Sequence, residues 1–198
     1  MTICGAGAQA PTQLEAALLA RPGIRTVYIY DIRIANAQRF ADYVARNYPY
    51  LQTIPTLDVE KAARNSDIID CVTLASEPFV KGEWLKKGCL VMNMADYEVD
   101  KECVKRADKL VVDYWDSVKH RMISTVALMW RDGLVKDEDI HAELGEILIG
   151  RKAACENDEE IIYFNAVGAG ILDIAVTVRC YREAIKKSMG TELSFWEE

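Results

Sequence analysis

Near the amino end of the sequence stands the run Gly5-Ala6-Gly7-Ala8-Gln9-Ala10, a G-x-G-x-x-A pattern. It follows a short apolar run, residues 1–4, and opens a helical stretch, residues 9–20. That context gives the pattern a chemistry. Gly5 permits a tight turn out of a strand, Gly7 lets the backbone approach a pyrophosphate, and Ala10 is small enough for the helix to pack on a sheet. The start of the helix then offers N–H groups and a partial positive charge to phosphates. Gly5, Ala6, Gly7, Ala8 and Gln9 are therefore the expected phosphate loop of a dinucleotide site.

A carboxylate follows where such a site needs one. Asp31 closes the β-branched and aromatic run 26–30. There it can accept hydrogen bonds from the adenosine ribose hydroxyls and repel a 2′-phosphate, so it favours NAD over NADP. Arg33 is close by, and its guanidinium could pair with a 2′-phosphate, which keeps NADP as the lesser alternative.

These residues need a scaffold, and the sequence supplies one. Strand patterns at 1–4, 26–30, 52–54, 68–74, 89–93 and 109–113 alternate with helical patterns at 9–20, 35–47, 59–64 and 100–106. Pro22-Gly23, Pro49 and Gly88 punctuate them. Repeated β-α units with short connections predict an α/β fold, a Rossmann-type doubly wound parallel sheet of about six strands. After Tyr114 the pattern turns helical, at 125–131, 137–149 and 171–187, and residues 161–164 read as a candidate further strand. Residues 1–170 are thus expected to form the dinucleotide-binding domain, and 171–198 a C-terminal helix and tail. Ile171, Ile174, Ala175, Val178, Tyr181 and Ile185 make an apolar stripe on that helix, expected to be a core or interface face.

Composition narrows the partners. The net charge of −7 disfavours nucleic acid. No apolar run is long enough to span a bilayer, so no membrane partner is expected. The six cysteines form no C-x-x-C pair and are expected to be reduced, as in a cytoplasmic protein. His120 and His141 lie far apart, so no metal site is expected.

Several motifs together resemble the ornithine cyclodeaminase/mu-crystallin family. They are Gly5-Ala6-Gly7-Ala8-Gln9 with Thr12-Gln13-Leu14-Glu15-Ala16, the pair Tyr30-Asp31, and Glu77-Pro78-Phe79-Val80-Lys81-Gly82-Glu83-Trp84-Leu85-Lys86-Lys87-Gly88. Glu143-Leu144-Gly145-Glu146 and Gly190-Thr191-Glu192-Leu193 also match. The resemblance covers nearly the whole chain. It implies NAD-dependent chemistry in which hydride leaves the α-carbon of an amino acid to give an imine. In cyclodeamination a side-chain amine then closes on that carbon, ammonia leaves and the hydride returns. Related members are amino-acid dehydrogenases, ketimine reductases or opine-type enzymes.

The resemblance also assigns residues. Asp96, in Asn93-Met94-Ala95-Asp96, matches the catalytic aspartate. Thr73, Leu74, Ala75, Asn93, Asp113, Val167 and Gly168 join the cofactor site. Three places depart from the family's pattern. Asp100 fills a lysine position, Ala166 replaces a serine beside the nicotinamide, and the residues around Asp113 are aromatic. These leave the substrate open within the class of small amino acids and imines.

Family members also carry a segment ahead of the glycine loop that supplies the substrate-clamping arginine and lysine, whereas this sequence opens on the first strand. Little turnover is therefore expected from the chain alone. The helix 171–187 is expected to form a homodimer or to fold back on its own sheet. A non-catalytic dinucleotide-binding module, or a subunit completed by a partner chain, is the alternative reading.

Overall fold

Short apolar runs become strands here because the inner ones, such as β1 and β4, lie between two neighbours and are buried along most of their length. The computed structural model describes residues 1–94 and 97–193. Its first half contains β1 (Thr2–Cys4), α1 (Ala10–Ala20), β2 (Thr26–Tyr30), α2 (Ile34–Asn47), β3 (Gln52–Thr56), α3 (Val59–Arg64), β4 (Ile68–Cys71), a 3-10 turn at Gly82–Trp84, and β5 (Leu90–Asn93). There follow α4 (Lys101–Arg106), β6 (Lys109–Val112), α5 (Trp115–Arg121), α6 (Thr125–Arg131), a 3-10 turn at Asp137–Asp139, β7 (Ile140–Glu143), α7 (Leu144–Leu148), β8 (Ile162–Asn165) and α8 (Gly170–Lys186). The chain divides into two units, Met1–Val167 and Gly168–Glu198.

The first unit holds one sheet of eight strands in the order β3-β2-β1-β4-β5-β8-β6-β7. Every strand pair in it is parallel. The chain winds outward from β1 through β2 to β3, then returns to place β4 on the other side of β1. That reversal opens a crevice at the carboxyl ends of β1 and β4, where doubly wound sheets bind ligands.

Alternation along β1 assigns its two faces. Ile3 packs with Leu14 and Leu18 of α1 and with Phe40 and Val44 of α2. Cys4, the next residue, joins Cys71, Val91 and Tyr163. Leu19, adjacent to Leu18 in α1, falls off the i, i+4 stripe and is exposed.

Two readings of the sequence need correction. The sheet has eight strands rather than about six, and one of them, β7, lies inside the stretch 137–149 read as a helix. Residues 140–143 contain helix formers, but the open edge of β6 offers a complete row of backbone partners. Pairing of Leu110 with Ile140 and Val112 with Glu143 satisfies them. The Glu143 carboxylate also accepts the Trp115 N–H at 2.9 Å, which ties β7 to the start of α5. Helix α5 was not anticipated; it ends at Met122 with φ of 53°.

In the second unit, α8 exposes Ile171, Ile174, Val178, Tyr181 and Ile185. Among the described residues, no helix is long and apolar enough to cross a membrane. Cys4, Cys71, Cys89 and Cys103 are buried free thiols, whereas Cys155 and Cys180 are exposed free thiols.

Candidate functional site

The crevice is walled first by the glycine loop. β1 ends at Cys4, and Gly5 turns the chain with φ of +102° while donating its N–H to the Tyr30 carbonyl at 2.8 Å. A Cβ at Gly5 would stand 2.8 Å from the Val72 carbonyl oxygen and 2.9 Å from Thr73 Cγ2. Both the turn and the close approach of β4 therefore require glycine there. Gly7 differs, because a Cβ there would meet nothing within 4 Å. Its missing side chain leaves open space at the start of α1. Ala10 is fully buried and brings that helix onto the sheet.

No described residue accepts the N–H groups of Gly7, Ala8 or Gln9, and the first turn of α1 carries no acid. The helix therefore begins with free donors and an uncompensated positive end, as an anion site requires.

Asp31 forms the second wall. Its Oδ2 accepts the Ala6 N–H at 3.1 Å, and its Oδ1 accepts the Arg33 N–H at 2.9 Å and Asn36 Nδ2 at 3.1 Å. The carboxylate is thus fixed to the glycine loop on one side and to the start of α2 on the other. Ile32 and Leu74, 81% and 92% exposed, flank it as apolar surfaces large enough to cover a purine. Tyr30 stacks on Phe79 at 5.5 Å, and both line the same cleft. The cleft has a volume of about 610 Å³, within the range of small-molecule sites. Gly5, Ala6, Gly7, Asp31, Arg33, Thr73, Leu74 and Ala75 all line it. Ala8 and Gln9 stand exposed beside it at the helix start.

Asn93, Asp113, Val167 and Gly168 do not line this cleft. Asn93 is fully buried and belongs to a polar network at the ends of β4, β5 and β8. Its Nδ2 donates to Glu98 Oε2 at 2.7 Å, and its Oδ1 accepts the Tyr163 hydroxyl at 2.9 Å. Asn165 Nδ2 donates to the Asn93 carbonyl at 2.7 Å and, through Oδ1, accepts the Ser124 hydroxyl at 2.9 Å. Burial pushes the Tyr163 phenol well above its usual range, so it stays a neutral donor. Asp113 Oδ2 accepts the Val167 N–H at 2.9 Å, while Arg121 Nη1 donates to the Val167 carbonyl at 2.5 Å. These two side chains grip the end of β8. Gly168, with φ of +87°, is the first residue of the second unit.

Asp96 lies outside the described residues. Asp100, at the family's lysine position, caps α4: it accepts the N–H of Cys103 at 3.1 Å and that of Gly82 at 2.9 Å. Among the described residues, no three acidic, histidine or cysteine side chains cluster to hold a metal ion. Burial also raises the Cys89 thiol to about 12 and Cys103 further, which leaves neither as a thiolate nucleophile.

The sequence reading missed Glu98, Asn36, Ile32 and Phe79. Ile32 carried a usable signal, since an apolar residue directly after the ribose-reading aspartate stands at the mouth of the crevice. Glu98 carried none, because it meets Thr73, just past β4, 25 residues away in the sequence.

The model of the ornithine cyclodeaminase/mu-crystallin family matches residues 1–188. N-((2S)-2-amino-2-carboxyethyl)-L-glutamate dehydrogenase of Staphylococcus aureus is 31% identical over 196 residues, covering 99% of this chain and 58% of that protein. Alanine dehydrogenase of Archaeoglobus fulgidus is 35% identical over 197 residues, covering 97% and 59%. The solved Delta(1)-pyrroline-2-carboxylate reductase of Thermococcus litoralis, in complex with NADH and L-proline, superposes with a TM-score of 0.90. It is 33% identical, and the match covers 97% of this chain and 60% of that one. An archaeal alanine dehydrogenase dimer with bound NAD superposes with a TM-score of 0.87 at 32% identity, covering 98% and 60%. The chain thus spans about 60% of the length of these relatives.

Proposed function

The chain belongs to the ornithine cyclodeaminase/mu-crystallin family, and from that membership we propose that it is the NAD-binding part of an enzyme acting on a small amino acid or its imine. The observation that carries this reading is the junction of glycine loop and acid, in which Asp31 Oδ2 is bonded to the Ala6 N–H beside the open space at Gly7.

In this reading the free N–H groups at the start of α1 hold the pyrophosphate. Asp31 accepts the adenosine ribose hydroxyls, and Ile32 and Leu74 cover the adenine. Bound NAD supplies the acceptor and donor of hydride at the substrate α-carbon. Thr73–Ala75, held from beneath by Glu98, shape the wall of the cleft toward β5. Val167, steadied through Asp113 and Arg121, is proposed for the far end of the site. Asp96 is proposed as the group that carries a proton at the substrate nitrogen or at a water. Dehydrogenases and reductases among the similar relatives favour simple hydride transfer over cyclodeamination. Self-association as a dimer through the exposed face of α8 is part of the same proposal.

Titration calorimetry of the purified chain with NAD⁺ tests the reading. Binding is expected, and Asp31→Ala should weaken it by roughly 10- to 100-fold, the value of one charge-assisted contact. Absence of binding by the unaltered chain overturns it. Oxidation of L-alanine and reduction of pyrroline-2-carboxylate, followed by NADH absorbance, then separate the substrate classes.

A further inference from the structure

We infer that Asn36 is the positioning residue for coenzyme choice, and that Arg39 holds Asn36 in the orientation this requires. The inference rests on the proposal that Asp31 reads the adenosine ribose.

The acceptor sites of Asp31 can be counted. Each carboxylate oxygen offers about two. Oδ1 is filled by the Arg33 N–H and by Asn36 Nδ2, whereas Oδ2 gives one site to the Ala6 N–H. The remaining acceptor is therefore on Oδ2, the oxygen beside the glycine loop. Arg33 and Ala6 hold the carboxylate through the main chain. Among the described residues, Asn36 alone holds it through a side chain, at the cleft wall that it also lines. Without that third donor, Oδ1 regains a free site and the carboxylate can turn about its own axis.

The orientation of the Asn36 amide is itself specified. Its Oδ1 accepts Arg39 Nη2 at 2.7 Å, one helical turn along α2. A flipped amide would set its oxygen against the Asp31 carboxylate and its NH₂ against the Arg39 guanidinium. Both contacts are repulsive, so Arg39 keeps the donor end on Asp31.

The competing ligand has a partner at the same place. Arg33 is the only cationic side chain among the residues lining the cleft, and its guanidinium makes no hydrogen bond among the described residues. A well-aimed Asp31 disfavours a 2′-phosphate there, and a loosened one leaves Arg33 to attract it.

Calorimetric affinities for NAD⁺ and NADP⁺, with melting temperatures, are measured for the unaltered chain, Asn36→Leu, Arg39→Leu and Arg39→Lys. Asn36→Leu is expected to weaken NAD⁺ by about three- to tenfold, one hydrogen bond's worth, without weakening NADP⁺ to match. The preference therefore narrows. Arg39→Leu should move the same way by less, and Arg39→Lys should stay near the unaltered value. Equal losses for both coenzymes, or an unmoved ratio in both Leu variants, overturn the inference while NAD⁺ binding by the unaltered chain stands. If the unaltered chain binds no NAD⁺, the underlying reading falls first and the inference with it. Should Asn36→Leu lower the melting temperature, Arg39→Leu, changed at an exposed position, still decides the ratio.

Discussion

Glu98 Oε1 accepts the backbone N–H of Thr73 at 2.6 Å, across the end of the sheet from β5 to β4. The same oxygen takes the Thr73 hydroxyl at 2.8 Å, and Oε2 takes Asn93 Nδ2. A carboxylate with no solvent exposure is costly unless several donors meet it, and here they do. This one acid fixes the turn that leads from β4 into the cleft wall.

Removing that acid should therefore act at two levels. Glu98→Ala leaves the Thr73 N–H and the Asn93 amide without their acceptor in a buried site, at a cost of about 3 kcal/mol. Denaturant unfolding measures this, and an unchanged midpoint would sink the assignment. NAD⁺ affinity should fall as well, because Thr73, Leu74 and Ala75 line the cleft.

The two loop glycines should behave in opposite ways. Gly5→Ala forces a side chain into a backbone oxygen at positive φ, so it should destabilise the fold by about 2 kcal/mol or more. Gly7→Val meets open space, so the melting temperature should hold while dinucleotide binding disappears. Full coenzyme affinity in Gly7→Val would remove the loop from the phosphate site.

Asp70 should make stability depend on pH in an unusual sense. It lies on β4 with 1% exposure, and its Oδ1 has no hydrogen-bond partner among the described residues. Burial first, and then the charge of Glu98, raise its carboxyl from 3.8 to about 7. Between those values the folded chain keeps a proton that the unfolded chain has lost. This contribution is complete below the lower value and is lost as pH rises toward the upper one, by about 4 kcal/mol in all. Asp70→Asn should flatten the slope between about pH 4 and about pH 7, measured as unfolding free energy against pH. Parallel slopes for the two proteins would contradict it.

Light scattering tests the exposed stripe of α8. Val178, 40% exposed, and Tyr181, 65% exposed, stand near its middle. A dimer is expected, and Val178→Ser with Tyr181→Ser should dissociate it, since a contiguous apolar face of this kind is usually covered by a partner. A monomeric unaltered chain, or a dimer indifferent to both changes, argues against the role.

What could be read from the sequence was what is local. Gly5, Gly7 and Asp31 announce themselves because one strand, one turn and one helix suffice to place them. Asn36 is local too, but its role depends on an amide orientation set by Arg39. The network around Asn93 was not legible, because Tyr163 and Asn165 reach it from 70 and 72 residues away. Strand β7 was hidden for a related reason. Four residues with no strong preference become a strand only when β6 lies beside them.

The position of β8 between β5 and β6 governs the order in which the sheet can assemble. As the chain emerges during synthesis, β1 to β5 can pair in sequence, each finding a neighbour already made. β6 and β7 can pair with each other but find no place beside the first five until residues 162–165 appear. Through that interval the apolar run Leu110-Val111-Val112 carries an unprotected edge, the kind of surface that recruits other chains. Pulse-labelled hydrogen exchange should accordingly protect the amides of β1, β2 and β4 before those of β6 and β7. Simultaneous protection of all these strands would mean that the last-made strand is not the one that closes the sheet.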